Sequence, residues 1–68
     1  MALTLKAARV NAGLTRPEVK RLLKDKYNIK ISVNTLSSYE KQATQPNIET
    51  GKALASIYGL SIDDIKFF

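Results

Sequence analysis

Five short polar residues stand where helices would begin, and they constrain this chain more than any other feature. They are Thr4, Thr15, Ser32, Asn47 and Ser61. Such side chains accept a hydrogen bond from a free N–H of a helical first turn, which is why they gather at helix starts. Thr15 is followed by Arg16, by Pro17 in the first turn and by Glu18 three residues on, a capping box. Ser61 repeats the box with Asp64. Gly13 and Gly59 fall just past two of the apolar-periodic segments, where a glycine readily takes the left-handed conformation that ends a helix.

The apolar spacing between these signals predicts five short helices. The first runs from Thr4 to Asn11 or Ala12, with Leu5, Ala8, Arg9 and Ala12 on one face. The second runs from Thr15 to Lys26 and buries Val19, Leu22, Leu23 and Tyr27. Asn28 breaks it, and Asn28 to Ile31 reads as an extended connector with Ile31 turned inward. The third starts after Ser32 and covers Val33 to Glu40 or Lys41, with Leu36, Tyr39 and Glu40 inside. The fourth is Ile48 to Tyr58, burying Ile48, Leu54, Ala55, Ile57 and Tyr58. A short fifth passes through Ile62 and Ile65. No strand of consequence is expected. The fold class is all-α: one compact five-helix domain over residues 1–68, with an extended connector before the third helix.

At 68 residues the chain has room for one modest core. Without Cys it has neither disulfides nor thiolate metal sites, and without His it lacks the commonest general base and metal ligand. Catalysis would rest on Asp, Glu, Lys or Tyr in a very small fold, so an enzyme is not expected, nor a cofactor, metal or small-molecule ligand. No apolar stretch approaches the roughly 20 residues of a membrane span, and the N-terminus has no signal-peptide core. A cytoplasmic protein is expected.

Charge separates along the chain. Residues 1–42 carry nine Lys/Arg against three Asp/Glu, and residues 43–68 carry two against three, so the net +5 arises entirely in the first part. The asymmetry implies a face of positive potential suited to phosphate, or else a solubilising surface. Arg16, Lys20 and Lys24 recur every four positions on the second helix, and Arg21, Lys26 and Lys30 extend the run. Such a stripe can follow a phosphate backbone or simply be solvated. The free N–H groups at Thr15 and Arg16 add an anion-binding helix start.

Two patterns on the third helix bear on function. Its outer side collects Val33, Asn34, Ser37 and Ser38, where a plain solvent face would favour Lys and Glu. Asn can bind adenine at two points, Ser can donate or accept, and Val can meet a thymine methyl. The alternative is that Ser32 and Asn34 serve only the helix start. On the inner side, Glu40 lies a turn from Leu36, and Arg9 shares the stripe of Leu5. Charges on inward faces are uncommon unless paired, so an Arg9–Glu40 salt bridge between the first and third helices is expected. The alternative is that each reaches solvent separately.

In order and spacing these residues resemble the phage-repressor and Cro type of helix-turn-helix domain, the Xre-like family. The resemblance runs through Leu5 and Arg9, Gly13-Leu14-Thr15-Arg16-Pro17-Glu18-Val19, Ser32 to Glu40, Pro46, Leu54-Ala55, Gly59-Leu60-Ser61 and Asp64-Ile65, nearly the whole chain. It implies a lambda-repressor-like fold and a transcriptional regulator that binds double-stranded DNA. It places the third helix in the major groove, with Val33, Asn34, Ser37 and Ser38 at base edges. It implies phosphate contacts at Arg16, at Thr35 and in the loop from Lys41 to Thr44. With Thr15 at the start of the second helix, and Lys20 and Lys30 from the basic run, these complete the expected phosphate set. The family's arginine–glutamate bridge falls on Arg9 and Glu40. Two features depart from the pattern: Lys26-Tyr27-Asn28-Ile29-Lys30 lengthens the turn before Ser32, and Gln42 stands where the family commonly has glycine.

The leading functional expectation is thus a repressor or Cro-like regulator acting as a homodimer in a prokaryotic or phage-infected cell. The dimer surface would use the last helix and Phe67-Phe68, unless those rings cover the domain's own core. The competing expectation is a protein-interaction module, antitoxin-like or anti-repressor-like, using the third helix or the terminal aromatics.

Overall fold

A computed structural model describes residues 2–66; the paired phenylalanines 67 and 68 lie outside the described residues. Four α-helices make up most of it: α1 (Leu5–Asn11), α2 (Arg16–Tyr27), α3 (Val33–Glu40) and α4 (Ile48–Ile57). Each begins on the side chain that the sequence marks. Thr4 accepts from the Ala7 N–H (3.1 Å), Thr15 from Glu18 (3.4 Å), Ser32 from Thr35 (3.1 Å) and Asn47 from Thr50 (2.8 Å).

The helix ends follow one pattern three times. Gly13, Gln42 and Gly59 take left-handed φ of +72°, +62° and +73°. In each case the next residue's N–H returns to a carbonyl five positions back: Leu14 to Arg9, Ala43 to Ser38, Leu60 to Ala55. These bonds satisfy carbonyls that the helix leaves open. Gln42 therefore reaches the geometry that glycine adopts freely, at a steric cost of roughly 1–2 kcal/mol for an L-residue. α2 ends differently, on Asn28 at φ +54°. Residues 28–32 then lead to α3 without helix or strand, and Ile29 and Ile31 both pack against the core from partly buried positions.

The core is Leu5, Ala8, Val19, Leu23, Leu36, Ala53, Leu54, Ala55, Tyr58 and Ile65, with Leu23, Leu54 and Val19 enclosed completely. α2 runs through its centre and packs on both α3 and α4. Burying each large aliphatic side chain contributes on the order of 1.5–3 kcal/mol.

Several expectations are corrected. The fifth helix is a single 3-10 turn, Ile62–Asp64, because the Ser61–Asp64 box closes only one turn before Ile65 becomes extended (φ −114°, ψ 131°). The ends of the described chain also form strands. β1 (Leu3–Thr4) pairs in parallel with β2 (Ile65–Lys66), Leu3 opposite Ile65. Parallel strands need a long crossover, which the whole helical body supplies; two residues per strand are too few to show a period in the sequence. Ala12 is exposed because α1 stops at Asn11 and Ala12 is already its C-cap. Ile48 is 68% exposed because it opens α4, whose first turn buries Thr50 and Gly51 instead. Tyr27 is 38% exposed at the end of α2, where its hydroxyl donates to Ser56 Oγ on α4 (2.7 Å).

Candidate nucleic-acid interface

Glu40, the last residue of α3, joins three helices. Its side chain is only 4% exposed, and both carboxylate oxygens are engaged by guanidinium groups. Arg9 of α1 donates from Nε to Oε2 at 2.7 Å and from Nη2 to Oε1 at 3.4 Å. Arg9 Nη1 meanwhile donates to the Leu14 carbonyl at 2.9 Å, so the same guanidinium also ties down the turn between α1 and α2. Arg16, the first residue of α2, approaches Oε1 with Nε and Nη2, both at 3.0 Å. Two arginines on one carboxylate leave the cluster one positive charge in excess. Tyr58 is buried close by, and burial, with Glu40's charge adding to it, pushes its phenol up to about 12.

The Arg9–Glu40 contact joins the two inward charges singled out in the sequence. The sequence points Arg16 only to an outside phosphate; its hold on Glu40 emerges from the fold. The signal is in the carboxylate's capacity: it offers about four lone-pair sites, more than the two donors of one guanidinium edge fill.

Thr15 is committed locally. Its main-chain N–H and its hydroxyl both donate to Glu18 Oε1 (3.0 and 2.9 Å), and these bonds hold the Glu18 carboxyl below the usual carboxylate range. Thr35 likewise shares a 3.0 Å hydroxyl contact with Ser32. Both hydroxyls serve helix starts in this structure.

On the outer side of α3 Asn34 is exposed, with Val33, Ser37 and Ser38 partly covered. Val33 borders a shallow groove of about 340 Å³ together with Pro17, Lys20, Arg21 and Lys24 of α2. Lys20 and Lys24 also line a neighbouring groove of about 380 Å³ with Ile29, Lys30, Ile31 and Ser32. Lys20 and Lys24 of the α2 stripe, with Lys30, thus lie around the start of α3, and no carboxylate lines either groove. The sequence had left Arg21 and Lys24 out of the expected contact set; their place beside Val33 depends on how α2 packs on α3. Lys41, the C-cap of α3, and Thr44, in the loop beyond Gln42, are both exposed. Among the described residues no His, Cys, Asp and Glu gather into a metal-binding group, and no helix is long and apolar enough to cross a membrane.

A helix-turn-helix family model matches residues 5–65. No curated protein and no solved structure gave a match.

Proposed function

From the chain's membership of the helix-turn-helix family of Xre and lambda-repressor type, a family of DNA-binding regulators, we propose a sequence-specific regulator that lays α3 in the major groove of duplex DNA. The observation that carries this reading is the junction of α2 and α3. Val33, the first residue of α3, borders a groove with Lys20, Arg21 and Lys24, and its neighbour Asn34 is exposed, which supports base-reading and phosphate-binding chemistry at one junction. In this reading Asn34 meets an adenine edge, Ser37 and Ser38 exchange hydrogen bonds with bases, and Val33 packs on a thymine methyl. Phosphates are taken by Arg16, Lys20 and Lys30, and by Lys41 and Thr44 beyond α3. Thr15 and Thr35 contribute by placing the starts of α2 and α3 near the backbone. The protein works in the cytoplasm, as a repressor or Cro-like regulator of phage type.

It acts as a homodimer. A single module of this kind covers only about 600–1,000 Å² on DNA, modest for tight specific binding. Overall extents of 29 × 23 × 22 Å let two copies sit side by side on half-sites about 34 Å apart on one face of the duplex.

Selection of bound sites from random duplex DNA tests the reading, followed by a salt titration on the selected site. A two-fold-related site is expected, with log K falling by about 0.9 per phosphate neutralised for each unit of log salt. No enriched sequence and no salt dependence would turn the assignment towards a protein partner.

A further inference from the structure

We propose that Glu40 is a positioning residue for a phosphate contact: it grips the inner edge of the Arg16 guanidinium, so that the outer edge, with the Arg16 main-chain N–H, takes one DNA phosphate. The inference rests on the DNA-binding reading and adds to it a coupling between the end of α3 and the start of α2.

A guanidinium carries five N–H donors in a rigid planar fork. Arg16 turns one edge, Nε and Nη2, towards Glu40 Oε1 at 3.0 Å from each. Both hydrogens on Nη1 and one on Nη2 remain, and among the described residues no further acceptor meets them. The side chain is 33% exposed, so this second edge is open to solvent.

The main chain at the same residue is open too. In the first turn of α2, Pro17 has no N–H and the Glu18 N–H is taken by Thr15 Oγ1. The Arg16 N–H has no acceptor among the described residues. One residue therefore offers both a helix-start N–H and a guanidinium edge.

Charge makes the arrangement suit an anion. Arg9 neutralises Glu40 through the other carboxylate oxygen at 2.7 Å. The excess positive charge of the cluster is left on its more exposed member, Arg16. Because Glu40 is buried and fixed by Arg9, it holds Arg16 in place before any ligand arrives, and less side-chain freedom is lost when a phosphate binds. A lysine could supply the charge, but its ammonium has no second fixed edge with which to join carboxylate and phosphate.

The test measures affinity of the whole chain for its selected duplex across a salt series, for wild type, Arg16→Lys, Arg16→Ala and Glu40→Gln, with circular dichroism to check folding. Arg16→Ala is expected to flatten the log K against log salt slope by about 0.9, one phosphate contact. Arg16→Lys is expected to bind about tenfold more weakly while keeping the wild-type slope. In the Glu40→Gln background, the penalty of Arg16→Lys should shrink to below about threefold, because the coupling partner has gone. Wild-type affinity in Arg16→Lys would overturn the proposal, as would an unchanged slope in Arg16→Ala or an undiminished lysine penalty in the Glu40→Gln background. If Glu40→Gln does not fold, the two Arg16 variants decide alone. Absence of salt-dependent duplex binding by the wild type would instead remove the DNA reading itself, before any variant is compared.

Discussion

Replacing Arg9 by alanine tests how the helical frame is held. The substitution removes the 2.7 Å and 3.4 Å bonds to Glu40 and the 2.9 Å bond to the Leu14 carbonyl, and it leaves a carboxylate that is 4% exposed. Breaking a buried ion pair by deleting one partner costs about 3–5 kcal/mol. Arg16 still faces Oε1 at 3.0 Å and compensates part of the loss, so the lower end, about 3 kcal/mol, is expected. Arg16→Ala deletes a partner that is one-third exposed and solvent-screened, for about 1 kcal/mol or less. A domain of this length has a stability of roughly 3–10 kcal/mol, so Arg9→Ala removes a large share of it. Urea unfolding followed by circular dichroism reads the difference. At a slope of about 1–2 kcal/mol per molar, the midpoint should fall by about 1.5–3 M for Arg9→Ala and by less than about 1 M for Arg16→Ala. If Arg9→Ala is already unfolded in buffer, a matched series in sucrose restores a measurable transition. Equal shifts for the two variants, or a loss of only a few tenths of a kcal/mol for Arg9→Ala, would show that the cluster is solvated and the reasoning wrong.

Gln42→Gly should raise stability by about 0.5–1 kcal/mol in the same assay, since relief of the φ +62° conformation outweighs the extra freedom of the unfolded chain; a loss on substitution would refute the steric account of this turn. Tyr58 keeps its proton to about pH 12 when folded, whereas the unfolded chain releases it near 10. Its contribution is therefore complete below pH 10 and lost as pH rises towards 12, at on the order of 1.4 kcal/mol per pH unit, and Tyr58→Phe should remove that part of the alkaline slope in a pH series of urea midpoints. Asn34→Ala, at an exposed position, should leave stability within about 0.5 kcal/mol and relax base preference at one site position by about 1–3 kcal/mol. Uniform weakening on every DNA sequence would mean that Asn34 does not read a base.

The helix starts were legible because a cap is a local device. Thr4, Thr15, Ser32 and Asn47 bond to groups three residues away, and no tertiary knowledge is needed to see them. Errors arose where burial depends on position beyond one helix. Ala12, Tyr27 and Ile48 continue a helical stripe on paper, yet each lies at a helix end that projects past the core. The β1–β2 pair was invisible because it joins Leu3 to Ile65, residues far apart in the chain whose contact exists only after the helices pack. In the candidate interface, the residue types were readable and their grouping was not. Lys20, Lys24 and Lys30 form a charge run in the sequence, but their meeting at Ser32 and Val33 depends on how α2 packs on α3.

Gln42 and Glu40 together show why the end of α3 is built tightly despite an unfavourable residue. Glu40 must stay buried between α1 and α2, and two residues later the chain must turn sharply into an exposed loop. The left-handed turn at Gln42 lets the Ala43 N–H close on the Ser38 carbonyl, so α3 ends promptly after its anchor. Continuing the helix would carry Ala43 and Thr44 along the α3 axis, instead of releasing them into the exposed loop. The roughly 1–2 kcal/mol of strain at Gln42 is smaller than the about 3 kcal/mol that breaking the Arg9 anchor would cost, so the anchor can hold the turn. This order of magnitudes ties the Gln42→Gly prediction to the Arg9→Ala one. In an Arg9→Ala background the turn loses the contact that enforces it, Gln42 can relax, and the stabilisation by Gln42→Gly should shrink. Strict additivity of the two substitutions in urea midpoints would show instead that turn and anchor are independent.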